Sequence, residues 1–304
     1  MTTFVDGTVR LTVPATSANL GPGYDSLGMA LELRDSLAAR ITEGGLSIEV
    51  RGEGRGAVPL DESHLVVRAM RIGFEALGAQ PPGIALQCTN VIPHGRGLGS
   101  SSAAIVAGLS LARALVAGGS LVVDDEALLT IACDIEGHPD NVAPALLGGF
   151  VVAGKERGEW YAVRTGVDPR VRVMAFVPES ILPTEVARGL IPAMVPHAEA
   201  ATNAGRAALL VAALGGRPEH LFAATHDFLH QEYRRSAMPE SLELMDALRA
   251  EGVPALISGA GPTVLAFCDA GLEGPGTPAA LGTRVPRGWA AHHLEVAAEG
   301  VRIG

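Results

Sequence analysis

Lysine is almost missing from this 304-residue chain: of its 23 basic residues, 22 are arginine and one is Lys155, in the polar run G-K-E-R-G-E. That scarcity excludes the P-loop nucleotide-binding proteins, whose G-x-x-x-x-G-K-[ST] signature needs a lysine, and it leaves one residue able to form a Schiff base. Cysteine is sparse as well. Cys88, Cys133 and Cys268 are odd in number, far apart and without a C-x-x-C, so they indicate neither a disulfide framework nor a zinc site. They read as small buried residues of a reducing compartment. Charged residues make up 18% of the chain, below the usual value of about 25%, while apolar residues reach 48%. Such a composition buries a core and excludes a disordered chain. The net charge of -10 argues against capture of nucleic acid or an anionic membrane, and so favours a small, locally recognised ligand. Long apolar runs are also lacking. The longest uncharged one, 142–154, is too short and too rich in glycine to span a bilayer, and the first residues, with Asp6 and Arg10, hold no apolar signal core. A soluble cytoplasmic protein is expected.

Glycine, by contrast, is in excess, at 38 residues with no G-X-Y period, so it must serve turns, loops and close backbone approaches. At roughly 150 residues per domain the length suggests two units. β-Branched alternation predicts a strand over 8–13 that ends at Pro14, and the turn-forming run after it predicts a loop. Short strands are expected at 28–33, 36–41 and 46–51, a helix at 63–77, a strand at 84–92, and helices at 103–116 and 125–136. The polar stretch through Asp168-Pro169 marks a boundary, dividing the chain into 1–165 and 166–304. Beyond it the pattern predicts a strand at 171–177, helices near 202–214, 218–233 and 239–250, strands at 254–258 and 263–267, a surface loop over 270–287 and a last strand at 291–302. The fold class is α+β, with mixed or antiparallel strands in each half.

The most informative stretch is Pro93-His94-Gly95-Arg96-Gly97-Leu98-Gly99-Ser100-Ser101-Ser102-Ala103. Alternate glycines let backbone N–H groups converge on an anion. The serines then open a helix whose first N–H groups are unpaired and whose dipole end is positive, a natural seat for a polyphosphate. A serine hydroxyl there can also ligate Mg2+. Gly95-x-Gly97-x-x-Ser100 lacks the third glycine of the dinucleotide fingerprint, which argues against a nicotinamide enzyme.

The string P-x-x-x-G-L-G-S-S-x-A resembles the phosphate loop of the GHMP kinase superfamily, and further matches point within it to the homoserine kinases. They are V-P-A-T-S-A-N-L-G-P-G-Y-D-S-L-G-M-A-L (13–31), E-G-H-P-D-N-V-A-P-A-L-L-G-G-F (136–150), L-P-T-E-V-A-R (182–188), H-Q-E-Y-R (230–234) and I-S-G-A-G-P-T-V-L-A-F (257–267). The resemblance implies a ribosomal-protein-S5-like N-terminal half, a ferredoxin-like C-terminal half and a homodimer. It also implies ATP-dependent phosphorylation of the L-homoserine hydroxyl, a step in threonine synthesis.

Phosphoryl transfer needs a phosphate cradle, a metal and a substrate clamp, with a base optional. The resemblance assigns Pro93 to Ala103 to ATP and Ser101 and Glu136 to Mg2+. Glu136 stands in the last turn of its helix, where the dipole disfavours an acid, and that misplacement supports a functional role. Asp140 and Asn141 are the catalytic candidates at the substrate hydroxyl. Arg188 and Arg234, the latter beside Arg235, are assigned to the substrate carboxylate, since a planar guanidinium meets a carboxylate bidentately. Asn19, Asp25, His138, Gly259 and Gly261 complete the substrate site, with Asp25 for the ammonium; Arg96 is a further candidate for the phosphates. His226 and His230 have a metal-ligand spacing on the expected helix, but no glutamate follows the first and no third ligand offers itself, so they read as surface or packing residues. Two other readings stay open: a GHMP kinase acting on mevalonate or a sugar, and a non-catalytic ligand sensor on the same fold.

Overall fold

The computed structural model describes residues 3–269 and 274–304. The chain begins with three strands, β1 (Val9–Ala18), β2 (Leu27–Thr42) and β3 (Gly45–Gly52), then α1 (Leu65–Ala76) and β4 (Gly83–Asn90). Helices α2 (Ser100–Leu115), α3 (Gly119–Val122), α4 (Asp125–Glu136) and α5 (Pro139–Leu147) follow, and the hairpin β5 (Phe150–Glu156) and β6 (Glu159–Thr165) comes next. The second half runs β7 (Val171–Val177), α6 (Thr184–Gly189), α7 (His197–Leu214), α8 (Leu221–Ala224), α9 (Pro239–Ala250), β8 (Ala255–Ile257), β9 (Val264–Asp269), α10 (Pro278–Gly282), β10 (Ala290–Glu295) and β11 (Arg302–Ile303).

Two sheets result. The first has the order β11-β1-β2-β4-β3, with β5 on the near end of β2 and β6 on β5; β3 and β4 are parallel and the other pairs antiparallel. The second, β10-β7-β9-β8, is antiparallel throughout. Helices α1, α2, α4 and α5 pack beside one another over the first sheet, and α9 packs on the second. The larger core joins residues of both halves, among them Val13, Met70, Leu111, Val173 and Phe267, whereas Phe176, Leu242, Ile257 and Ala266 form a smaller one under α9. The expected division at 165/166 falls between β6 and β7, but the chain later crosses back: Val296 bridges Leu31, and Arg302 and Ile303 pair with Thr12 and Leu11. Among the described residues no helix is long and apolar enough to cross a membrane.

Several element boundaries differ from the sequence expectation. β1 does not stop at Pro14; the register shifts between Pro14 and Ala15, a bulge that tolerates the missing N–H, and the strand runs on to Ala18. The two strands expected at 28–33 and 36–41 are one 16-residue strand, β2. Its polar centre misled because Asp35 faces inward, accepting from the N–H groups of Val91 (2.6 Å) and Ile92 (2.9 Å). The helix expected at 218–233 breaks after Ala224. There the Asp227 carboxylate accepts from the N–H groups of Leu229, His230 and Gln231, and Asn203 accepts from that of Phe228, so side chains take donors that a helix would need. The strand expected at 291–302 is two, β10 and β11, because the chain changes sheet between them. Within the stretch 270–287 the short helix α10 stands in place of loop; residues 270–273 lie outside the described residues.

Candidate active site

The glycine-rich loop crosses from β4 to α2 and is held by its carbonyl side. Gly95 O accepts from Leu182 N, Arg96 O from Thr263 N, Leu98 O from Thr16 N and Gly97 O from the Ser258 hydroxyl at 2.6 Å. Tying the carbonyls outward turns the opposite face of the backbone toward a pocket lined by Gly95, Gly97, Gly99, Ser100 and Ser101. Gly97 shows why glycine is required: its φ is +79°, and a Cβ there would lie 2.3 Å from Ser258 O. The clash is with the neighbouring turn of this same protein, so the glycine first serves the loop's own packing. Helix α2 starts at Ser100, three residues earlier than expected, which places Ser100, Ser101 and Ser102 in its first turn.

Arg96 departs from its expected role. Its Nε donates to Pro178 O at 2.9 Å and its Nη2 to Glu179 O at 3.0 Å, so the guanidinium fastens the loop to the second half of the chain instead of reaching for phosphates. Pro93 and Leu98 are buried beneath the loop. His94 and Ala103 line a second cavity of about 270 Å³, together with Pro59, His64, Leu65 and Cys88. Ser100 and Ser101 line both cavities, so the two meet at the first turn of α2.

Glu136, the last residue of α4, reaches this turn. Its Oε1 accepts from the hydroxyls of both Ser101 and Ser102 at 2.7 Å. Gly137 ends the helix with φ +90° and turns the chain at once into α5, whose first residues face the same pocket. Asp140 is 1% exposed, and its Oδ1 meets His138 Nδ1 at 2.8 Å. Asn141 Oδ1 accepts from the Thr16 hydroxyl at 2.8 Å. Burial opposes the His138 imidazolium, but the hydrogen bond and charge of Asp140, with the charge of Glu136, outweigh it and hold the His138 pKa above its ordinary value. The pair therefore stabilises the fold fully below the unfolded histidine pKa of about 6.5 and ceases to do so as pH rises through the higher folded value. His138→Asn should remove that component, so chemical denaturation of wild type and variant should converge above neutral pH and diverge below pH 6. Parallel curves across the range would show that the pair is not coupled to folding.

The opposite wall is built from three loops. Asn19, with φ +63°, donates from Nδ2 to Gly259 O at 2.9 Å and accepts from Asp25 N at 2.9 Å, pinning the 19–25 loop to the G-A-G-P turn. Asp25 forms a bidentate pair with Arg188 at the head of the pocket, Oδ1 to Nη2 at 2.6 Å and Oδ2 to Nη1 at 3.1 Å. Arg234 is the largest fully buried side chain among the described residues. Its Nε donates to Ala187 O and its Nη1 to Gly259 O and His230 Nδ1, while His230 Nε2 donates to Gly21 O. Burial lowers the His230 pKa from its ordinary value, in keeping with a ring whose Nδ1 accepts from Arg234. His230 is thus a packing residue that aims Arg234. Arg235 points away, paired with Glu232 and Asp246 on the surface. Gly261 is required by its backbone, whose φ of +91° side chains rarely adopt.

Asn19, Glu136, His138, Asp140, Asn141, Arg188, Arg234, Gly259 and Gly261 line the same cavity as the glycine-rich loop, a space of about 70 Å³. Asp25 reaches it through Arg188. Tyr24 was not singled out in the sequence: its hydroxyl accepts from Arg188 Nη1 at 2.9 Å, and its ring lies 5.5 Å from the Arg188 guanidinium, 5.9 Å from that of Arg234 and 5.3 Å from the His230 ring. Its neighbour Asp25 was the available signal.

Residues 64–149 match the GHMP kinases N terminal domain and residues 206–287 the GHMP kinases C terminal family. With the two-sheet fold and the loop at the head of α2, these matches define a GHMP kinase, a phosphotransferase acting on a hydroxyl with ATP as donor. The chain is 53% identical over 299 residues to the homoserine kinase of Streptomyces avermitilis, covering 97% of this chain and 95% of that one. The homoserine kinase of Streptomyces coelicolor is 53% identical over 295 residues, 97% of this chain and 94% of that one. The crystal structure of homoserine kinase from Cytophaga hutchinsonii superposes with a TM-score of 0.84 at 25% identity, over 99% of this chain and 98% of that one. The chain belongs to the homoserine kinase family.

Proposed function

We propose that this protein transfers the γ-phosphoryl group of ATP to the side-chain hydroxyl of L-homoserine, giving O-phospho-L-homoserine for threonine synthesis, as a homodimer in the cytoplasm. The observation that carries the reading is the pairing of charge at the pocket: the guanidiniums of Arg188 and Arg234, with the Asp25 carboxylate bonded to Arg188, set opposite a phosphate loop, suit a zwitterion that carries a hydroxyl. The second cavity, apolar and joined to the loop at Ser100 and Ser101, suits the nucleotide base.

The oxygen donors that converge at Glu136, two hydroxyls on one carboxylate, fit Mg2+, which takes hard oxygen ligands and keeps several waters. Ser101 and Glu136 would hold it, and when bound it neutralises the negative charge of the transferring phosphoryl group. The chain's own part is positioning. The loop N–H groups and the α2 dipole hold the phosphates, Asn141 is fixed by Thr16, and Asp140, oriented by His138, receives or aligns the hydroxyl proton. Lys155 takes no part, since its ammonium lies 4.4 Å from the Trp160 ring centre beside Asp134.

Arg188→Ala tests the clamp. The KM for L-homoserine should rise by roughly 10- to 100-fold while the KM for ATP stays within about twofold, because only substrate binding loses a fork. A rise confined to the ATP KM would remove Arg188 from the substrate site.

A further inference from the structure

The residues assigned to the two ends of the substrate are bonded to each other. Asp25 covers both Nη1 and Nη2 of Arg188, the edge of the fork that a ligand carboxylate needs for bidentate binding. The backbone of Asp25 cannot retreat, because its N–H is held by Asn19, which is in turn bonded to Gly259, so the side chain alone is left to move. Both partners are about one-third exposed, at 35% and 36%, which leaves the pair accessible to exchange. Arg188 has a second support that Asp25 does not provide: the Tyr24 hydroxyl at 2.9 Å and the Tyr24 ring face.

We propose that Asp25 and Arg188 form an ion-pair latch that a zwitterionic substrate opens by exchange, its carboxylate taking Arg188 and its ammonium taking the released Asp25, while Tyr24 holds Arg188 in place. The inference rests on the reading of the substrate as an amino acid. A carboxylate-only ligand displaces Asp25 and leaves it without its arginine partner. An ammonium-only ligand takes Asp25 and leaves Arg188 without its bidentate partner beside Arg234, a cation that faces the same Tyr24 ring. The zwitterion replaces one ion pair with two. Selectivity for an amino acid over a hydroxy acid or an amino alcohol thus lies in the exchange as well as in the individual contacts.

The latch differs from a rigid two-point clamp in one measurable way. In the rigid clamp Asp25 has nothing to do with a ligand that lacks an amine, so Asp25→Asn leaves 4-hydroxybutyrate binding unchanged. In the latch, the same variant uncovers Arg188. Isothermal titration of 4-hydroxybutyrate should then give an affinity roughly three- to tenfold higher in Asp25→Asn than in wild type, the range expected for a partly exposed ion pair, while L-homoserine binds more weakly. Asparagine tolerates the positive φ at this position, +53°. A second measurement uses the wild-type protein alone: propionate and ethylammonium, titrated singly and together, should each raise the other's affinity severalfold, because each completes the exchange begun by the other. Unchanged 4-hydroxybutyrate affinity in the variant, or independent binding of the two half-ligands, overturns the latch. Failure of the wild type to bind or turn over L-homoserine overturns the substrate reading itself, so the two failures are distinct. Tyr24→Phe should raise the L-homoserine KM with kcat and the ATP KM little altered; an unchanged L-homoserine KM overturns the support assigned to Tyr24.

Discussion

Replacing Glu136 with alanine should lower kcat/KM by roughly 10²- to 10³-fold, the loss typical when one preorganised electrostatic group is removed from a reacting centre. The residual rate should need far more Mg2+ to saturate. The reasoning begins with position: a carboxylate in the last turn of a helix opposes the dipole, and it is kept at a place where it meets Ser101 and Ser102 of the phosphate loop. Glu136→Gln is the sharper variant, since it keeps the shape and the hydroxyl contacts and removes the charge. Steady-state rates against Mg2+ concentration decide the matter. Near-normal rates in both variants would show that the metal is held elsewhere.

Gly28→Ala should be nearly as damaging, for a reason unrelated to loop flexibility. Gly28 lies in β2 where α5 crosses it, and a Cβ at this position would fall 1.8 Å from Asp140 O and 2.9 Å from the Pro144 ring. A backbone carbonyl cannot step aside as a side-chain tip can. The helix must lift, and Asp140, His138 and Asn141 move with it. A cost of about 3 kcal/mol is expected, at the upper end of the usual range for overpacking because the clash is with backbone, together with a fall in kcat. Urea denaturation and kcat should change together. A stable variant with lowered kcat would show that only the catalytic end of α5 had moved, and an unaffected variant would contradict the tight crossing.

How much of this was visible in the sequence depends on whether a feature is local. The phosphate loop was legible because its glycines and serines are consecutive and their chemistry is a backbone property. Glu136 was legible because its conflict with the helix dipole is also local. Arg188 and Arg234 could be picked only through the family pattern, and the choice between Arg234 and Arg235 was not open to sequence reasoning. It depends on His230, which is bonded to Gly21 O from 209 residues away and turns Arg234 inward. The misplaced role of Arg96 has the same origin, since its partners, Pro178 and Glu179, lie in the other half of the chain. Asp227 broke the expected helix at 218–233 by a competition between side chain and backbone that apolar spacing does not record. The fold class and most strands were readable from alternation; the crossing of the chain back to β1 at its end was not, because Arg302 and Ile303 carry no distinctive pattern.

The scarcity of lysine bears on the chemistry that remains. With its single lysine held at Trp160, this kinase can meet the charge of ATP with backbone N–H groups, a helix terminus and a metal. On the proposed reading the Asp25 carboxylate would separate homoserine from mevalonate as the acceptor, since mevalonate has no ammonium group to meet it. The most direct measurement is therefore product identification: Mg-ATP with L-homoserine, mevalonate and galactose in separate reactions, followed by ADP release and phosphorus NMR. The account predicts rapid ADP release and a phosphomonoester only with L-homoserine, and the same phosphomonoester resonance as authentic O-phospho-L-homoserine. Turnover of mevalonate or galactose in preference to L-homoserine, or ATP binding without turnover of any of the three, would contradict it.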